Sequence, residues 1–220
     1  MKPTLQQTEI LKTYLSDILK YRETIDEVYD HVLSAVEAKP ENISFQDAVN
    51  DILNDDFGGG NGLAKMEKQH LQDAIWEGII QMIKYVIANF FFPSILYTII
   101  LYVATSYAVQ NIKINHFQVV LIFPLNALFF LLISWIRKFF VGYFTRDTRK
   151  SIQDIVTERI MYIPYWTLIY PFIFSVYQKK YLFLLTNHPF IIAGMVTVYI
   201  LFVTATIKIC LDEFKKYQIV

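Results

Sequence analysis

Glu23, Glu27, Asp30 and His31 are the side chains of this sequence best suited to chemistry by type and spacing. Glu27 and His31 stand four residues apart, so on a helix they share a face. A carboxylate beside an imidazole is the raw material of a metal site or an acid–base pair. Zinc takes three or four protein ligands, however, and no H-E-x-x-H, C-x-x-C or H-x-H pattern supplies the others. The spacing instead supports a solvated acidic face that meets a protein partner, with these four residues on it. Stretch 50–62 is acidic and rich in glycine, but it fails the calcium-loop template. Asp56 stands sixth from Asp51 where glycine is needed, and no glutamate closes the loop. The Lys-Ser/Thr pair of a phosphate loop is missing too. His70, His116 and His188 are scattered, and the serines of the apolar stretches lack a nearby His or acid for a nucleophilic triad. The single Cys210 forms neither an internal disulfide nor a thiolate cage. The expectation is a protein that is not an enzyme, with no metal and no cofactor.

The elements that hold the acidic face are short amphipathic helices. Leu11, Tyr14, Leu15, Ile18 and Leu19 make one apolar stripe, and Ile25, Val28, Tyr29, Val32, Leu33 and Val36 make the next. Lys39-Pro40 ends the second helix. Ser44 caps a third, with Asp47 three residues on, and Phe45, Ala48, Val49, Ile52 and Leu53 form its buried face. The glycine-rich run 57–62 then breaks the chain. A fourth pattern from Leu63 through Met66, Leu71, Ile75 and Ile79 continues into apolar sequence with no Gly or Pro stop. One long helix is expected there, able to transmit movement between the head and the apolar region. Residues 1–78 form this head.

Behind it, no Asp, Glu, Lys or Arg falls in 85–112, 114–136, 160–178 or 181–207. Each window holds the roughly 20 apolar residues that cross a bilayer. The fold class expected is all-α, a small helical bundle followed by a four-helix transmembrane domain over 79–220, with spans near 85–109, 117–136, 160–177 and 189–207. Hydrophobic residues make up 55% of the 220, with 18 Phe and 15 Tyr, which sets the chain apart from ordinary soluble domains. Pro93 kinks the first span, while Pro164 sits in the first turn of the third and Pro171 bends it. Gly194, Thr197, Thr204 and Thr206 permit close contacts of the fourth, a route to a homo-oligomer.

The formal charge is zero, yet residues 1–78 carry 15 acids against 7 bases and residues 79–220 carry 5 against 13. An acidic head lacks the basic face that nucleic-acid binding needs. The opening MKPTLQQTEILK is too polar for a signal peptide, so the first apolar span is expected to direct insertion. Bases weigh eleven against three toward the side holding both termini, which predicts cytoplasmic termini at an inner membrane. Arg137, Lys138, Arg146, Arg149, Lys150 and Arg159 would lie on the anionic membrane surface. Between them Phe139, Phe140, Phe144, Ile152, Ile155 and Val156 suit either an interfacial helix or an ordinary positive-inside loop with some apolar packing. No Asp, Glu, Lys or Arg sits deep in a span, which argues against an independent ion-coupled pump or antiporter.

The series Tyr14-Leu15, Glu27, Asp30-His31, Glu37, Ser44-Phe45-Gln46-Asp47-Ala48, Ile52, Phe57-Gly58-Gly59 and Leu63 resembles the HAAS-type head of bacterial membrane proteins and the related permease-prefix segments. The resemblance covers about residues 8–68 and departs from the commoner pattern at Gly59 and Gly60. It implies a signalling or regulatory membrane protein, often encoded beside a PadR-like regulator, and brings no catalytic residues. The functional expectation is a multi-pass inner-membrane protein whose head, residues 1–78, binds a cytoplasmic or membrane protein and regulates or scaffolds it. The alternative is an accessory or membrane subunit of a transporter or permease.

Overall fold

The computed structural model describes residues 1–40, 42–111, 128, 131–139, 150–177 and 188–218. Every regular element among them is helical: α1 (Leu5–Ile18), α2 (Arg22–Glu37), α3 (Phe45–Phe57), α4 (Gly59–Ala88), α5 (Ser94–Asn111), α6 (131–139), α7 (Ile152–Tyr177) and α8 (Pro189–Gln218). The chain divides into two compact units. One is Met1–Trp76 with Asp147–Val156, and the other is Glu77–Arg146 with Thr157–Val220. α4 and α7 contribute residues to both.

In the first unit, the head, α1 and α3 both pack on α2. Its core is Leu11 and Leu15 of α1 with Leu19 at its C-cap, Ile25, Val28, Val32 and Val36 of α2, Ala48, Val49, Ile52 and Leu53 of α3, and Leu63 of α4. These belong to the apolar stripes of the sequence, whose Ile18, Tyr29, Leu33 and Phe45 pack half-buried against the core, with one member left outside. Tyr14 is exposed, because α1 buries only the Leu11-Leu15-Leu19 ridge at four-residue spacing. The helix ends are satisfied locally. Thr4 and Gln7 form a reciprocal capping box on α1, and the Ser44 hydroxyl accepts the Asp47 amide at 3.1 Å on α3. The α3–α4 break is narrower than expected. Gly58 and Gly59, at φ +70° and +69°, turn the chain, and α4 begins at Gly59 rather than near Leu63. Gly59, Gly60, Asn61 and Gly62 are not loop but the first turn of α4. At Gly62 a Cβ would stand 1.6 Å from the Phe57 carbonyl oxygen, so this close approach admits no side chain.

In the second unit α5 packs along α8. A buried ridge of α8 recurs every four residues, Ala193, Thr197, Leu201, Ala205 and Ile209, with Thr206 and Cys210 buried beside its last turns. The Thr105 and Thr197 hydroxyls meet at 3.0 Å between the two helices. Of the small residues expected to permit contact, Thr197 and Thr206 are buried and Thr204 is half-buried, and Ala193 and Ala205 join them. Gly194 faces open space, with nothing within 4 Å of where its Cβ would be. The Tyr85 hydroxyl donates to Asp212 at 2.6 Å and Lys208 stands 4.5 Å from the Tyr85 ring, tying the end of α4 to α8.

The expected first span, 85–109, is not one kinked helix. α4 stops at Ala88 and α5 starts at Ser94. The freed carbonyls are still paired: the Asn89 amide donates to Tyr85 O and the Thr98 hydroxyl to Asn89 O, both at 2.8 Å. Side chains thus take over where the backbone ladder is interrupted. α7 begins at Ile152, so Pro164 lies well inside the helix rather than in its first turn. Loss of charge marks where apolar sequence starts, not where helical backbone starts. Among the described residues one segment, Pro189–Asp212, is long and apolar enough to cross a membrane. The expected spans at 117–136 and 160–177 lie largely and partly, respectively, outside the described residues and side chains.

Candidate interaction site

The acidic face belongs to α2. Its first turns carry Glu23, Glu27, Asp30 and His31 on the side away from the Ile25-Val28-Val32-Val36 core ridge. The structure leaves three of these four on the surface and uses the fourth internally.

Glu27, Asp30 and His31 are exposed. His31 Nε2 lies 2.9 Å from the Asp56 carboxylate at the end of α3, and its ring meets Phe57 edge-on at 5.3 Å. His70 of α4 stands 3.9 Å from Glu27. The site thus gathers residues from three helices: Glu27, Asp30 and His31, with Asp56 and His70 added. Exposed pairs of this kind contribute about 0–1 kcal/mol each. They do not hold the bundle together, so an incoming cation displaces them at little cost. Sequence reading missed Asp56 and His70 because each comes from a different helix. Asp56 carried one signal, lying beside the Phe57-Gly58 turn where α3 must end. Among the described residues no group of three or more His, Cys, Asp or Glu side chains is placed to hold a metal ion.

Glu23 has a different task. Its carboxylate accepts the Ser151 hydroxyl through one oxygen and the Ile152 amide at 3.0 Å through the other. The Arg22 amide donates to the Lys150 carbonyl at 2.9 Å. Glu23 therefore acts as a remote cap for the first turn of α7, where free amides and the helix dipole favour an anion. Ile152 and Val156 are buried, and residues 150–156 belong to the head. The expected interfacial helix over 139–159 is corrected accordingly: its described second half opens α7 and supplies apolar residues to a protein core.

Of the residues expected on the membrane surface, Arg137 is only 2% exposed and does not present its charge there. Lys138 is half-exposed, 4.0 Å from Glu158. Arg159 is exposed on α7, and Lys150 is exposed while its carbonyl joins the head. Arg146 and Arg149 lie outside the described residues.

A second carboxylate does structural work that the sequence hid. Glu67 of α4 is 5% exposed and accepts the Lys20 amide at 2.7 Å and the Tyr21 amide at 3.0 Å. It thereby satisfies the α1–α2 corner from across the bundle. The signal was its register, since Leu63, Glu67 and Leu71 fall four apart on the inward stripe. Between α1 and α3 the head also opens a groove of about 470 Å³, whose walls include Ile10, Tyr14, Phe45 and Val49.

Comparison of the chain with protein-family models, with curated proteins and with solved structures returns no match. The functional reading therefore rests on the chain's own residues.

Proposed function

We propose that the chain is a multi-pass protein of a bacterial inner membrane whose cytoplasmic helical head binds a protein partner, as a regulatory or scaffold component of a signalling system. The observation that carries this reading is Pro189–Asp212, with mean hydropathy 2.3 and only 28% of its apolar window buried. A core helix of a water-soluble domain hides its apolar side chains, whereas here most of them are half-buried or exposed, Phe190, Ile191, Val198, Ile207 and Leu211 among the exposed ones. α5 behaves in the same way, with Ile99, Ile100 and Val103 exposed. Four spans accord with the four charge-free windows, with both termini on the side that collects the bases.

The head fits an interaction role because its core is closed without Glu27, Asp30 and His31. Those side chains, with Asp56, present a concentrated negative surface to a basic segment of the partner. Long-range attraction of that kind speeds encounter and sets orientation.

The test uses the full-length chain in bacterial cells with a photo-crosslinking residue at position 34, on the exposed side of α2. The expected result is a chain that resists alkaline carbonate extraction and yields one discrete protein adduct, lost when Glu27 and Asp30 become lysine. Extraction without detergent would overturn the membrane assignment. An adduct unchanged by the double substitution would overturn the acidic site.

A further inference from the structure

The second unit contains a cleft whose chemistry changes along its length. It lies between α6 and the early turns of α7, with a volume of about 500 Å³. On α6, Leu131, Trp135 and Lys138 share a face at spacings of four and three. On α7, Glu158, Tyr162 and Trp166 succeed one another at spacings of four. The two helices bring their charged residues to the same end. Lys138 Nζ lies 4.0 Å from Glu158 Oε2, and the Tyr162 hydroxyl donates to Glu158 Oε1 at 3.2 Å. Both charged side chains are about half exposed, at 52% and 46%. The other end is apolar, with Leu131 and Trp166 each two turns, roughly 10–12 Å, from its helix's charge.

The geometry points to a binding site for one aminophospholipid of the phosphatidylethanolamine type, with its headgroup at Lys138 and Glu158 and its upper acyl region along Trp135, Trp166 and Leu131. This inference rests on the proposed membrane location. A phosphodiester and a primary ammonium stand a few ångströms apart in that headgroup. They match one lysine and one carboxylate held side by side at the limit of ion-pair distance. An anionic headgroup without an amine would satisfy Lys138 but meet Glu158 as a like charge. A quaternary ammonium has no N–H to give the carboxylate. The tryptophans suit the boundary layer, where an apolar ring with one polar edge is at home. A charged end leading to an aromatic and then an aliphatic wall passes through the roughly 5–7 Å headgroup layer into hydrocarbon.

The experiment uses full-length protein in detergent micelles and native mass spectrometry. The probes are phosphatidylethanolamine, phosphatidylglycerol, phosphatidylcholine and water-soluble phosphoethanolamine. The expected result is one retained phosphatidylethanolamine, at least tenfold preferred over the other two lipids. Glu158→Gln should abolish the preference over phosphatidylglycerol. Lys138→Gln should weaken both, and the exchange of the two charges (K138E with E158K) should restore the preference. Unchanged helicity and thermal midpoint of each variant in the same micelles separate loss of binding from loss of fold. Equal retention of all three lipids by the unaltered protein would overturn the site, as would a preference that survives Glu158→Gln. Saturable binding of phosphoethanolamine alone would overturn the lipid assignment. Carbonate extraction of the unaltered chain is the separate measurement whose failure would remove the membrane location itself.

Discussion

The two units treat the same kind of side chain in opposite ways. In the head Leu15, Val32, Val36 and Leu63 are fully buried, and the exposed face of α2 is carboxylate and imidazole. In the second unit Ile100, Val103, Trp135 and Phe190 are exposed, while hydroxyl and small residues occupy the helix contacts at Thr98, Thr105, Ala193, Thr197 and Ala205. A water-facing bundle is driven together by removing apolar area from water. Helices in hydrocarbon gain nothing from that and associate through close packing and hydroxyl pairs instead. On the membrane location proposed above, one chain is built for two solvents, and burial alone is a poor guide to which of its residues matter.

The comparison breaks most easily at a matched pair of substitutions. Val32→Asp places a charge in the closed core and should cost more than about 4 kcal/mol. The expected readout is loss of protease resistance in the head of the full-length chain. Ile100→Asp should leave the head intact and instead weaken membrane insertion, by about 2.5–3.5 kcal/mol, measured as the inserted fraction. Equal effects on head stability would end the contrast.

The next effect sharpens the head side. Glu67→Ala orphans the Lys20 and Tyr21 amides, at a cost of about 2–3 kcal/mol in denaturant midpoint, whereas Glu67→Gln keeps an acceptor oxygen and should lose clearly less. Glu23→Ala should cost about 1–2 kcal/mol, confined to one place. Hydrogen exchange at Ile152 should accelerate while α1 and α3 keep their protection. Thr24 lies fully buried with its hydroxyl unpaired, so Thr24→Val should raise stability by about 1 kcal/mol. The smallest change belongs to the other unit: Thr105→Val removes one interhelical hydroxyl contact, worth about 0.6 kcal/mol in thermal scans of the detergent-solubilised protein.

Legibility in the residues divides along the same line. The head's three core stripes, the Ser44 cap and the exposure of Glu27, Asp30 and His31 all obey a 3.6-residue period, which a single sequence displays directly. Tyr14 was misplaced because it borders the stripe, where periodicity cannot separate an edge position from a buried one. Glu67 was hidden between Lys65 and Lys68, a setting that looks solvated until its alignment with Leu63 and Leu71 is weighed. The contacts of Glu23 with Ser151 and Ile152 join residues 128 and 129 positions apart, and no local pattern encodes such a pairing. At 89–93 the sequence announced Pro93 but not Asn89 and Thr98 as the groups that replace the broken ladder. The acidic site was half visible for a related reason: α2 supplies a readable face, while Asp56 and His70 arrive by tertiary packing.

The distance along the chain between Glu23 and its ligands sets an order of events during synthesis. Translation adds about 5–20 residues per second, so Glu23 is added to the chain roughly 6–26 s before Ser151. Over that interval the nascent bundle has an open edge where Ile152 and Val156 will later sit. The last piece of the first-made domain is thus delivered only after stretch 85–136 has been translated, and a nascent chain halted at residue 140 should expose a head more easily digested than the finished one.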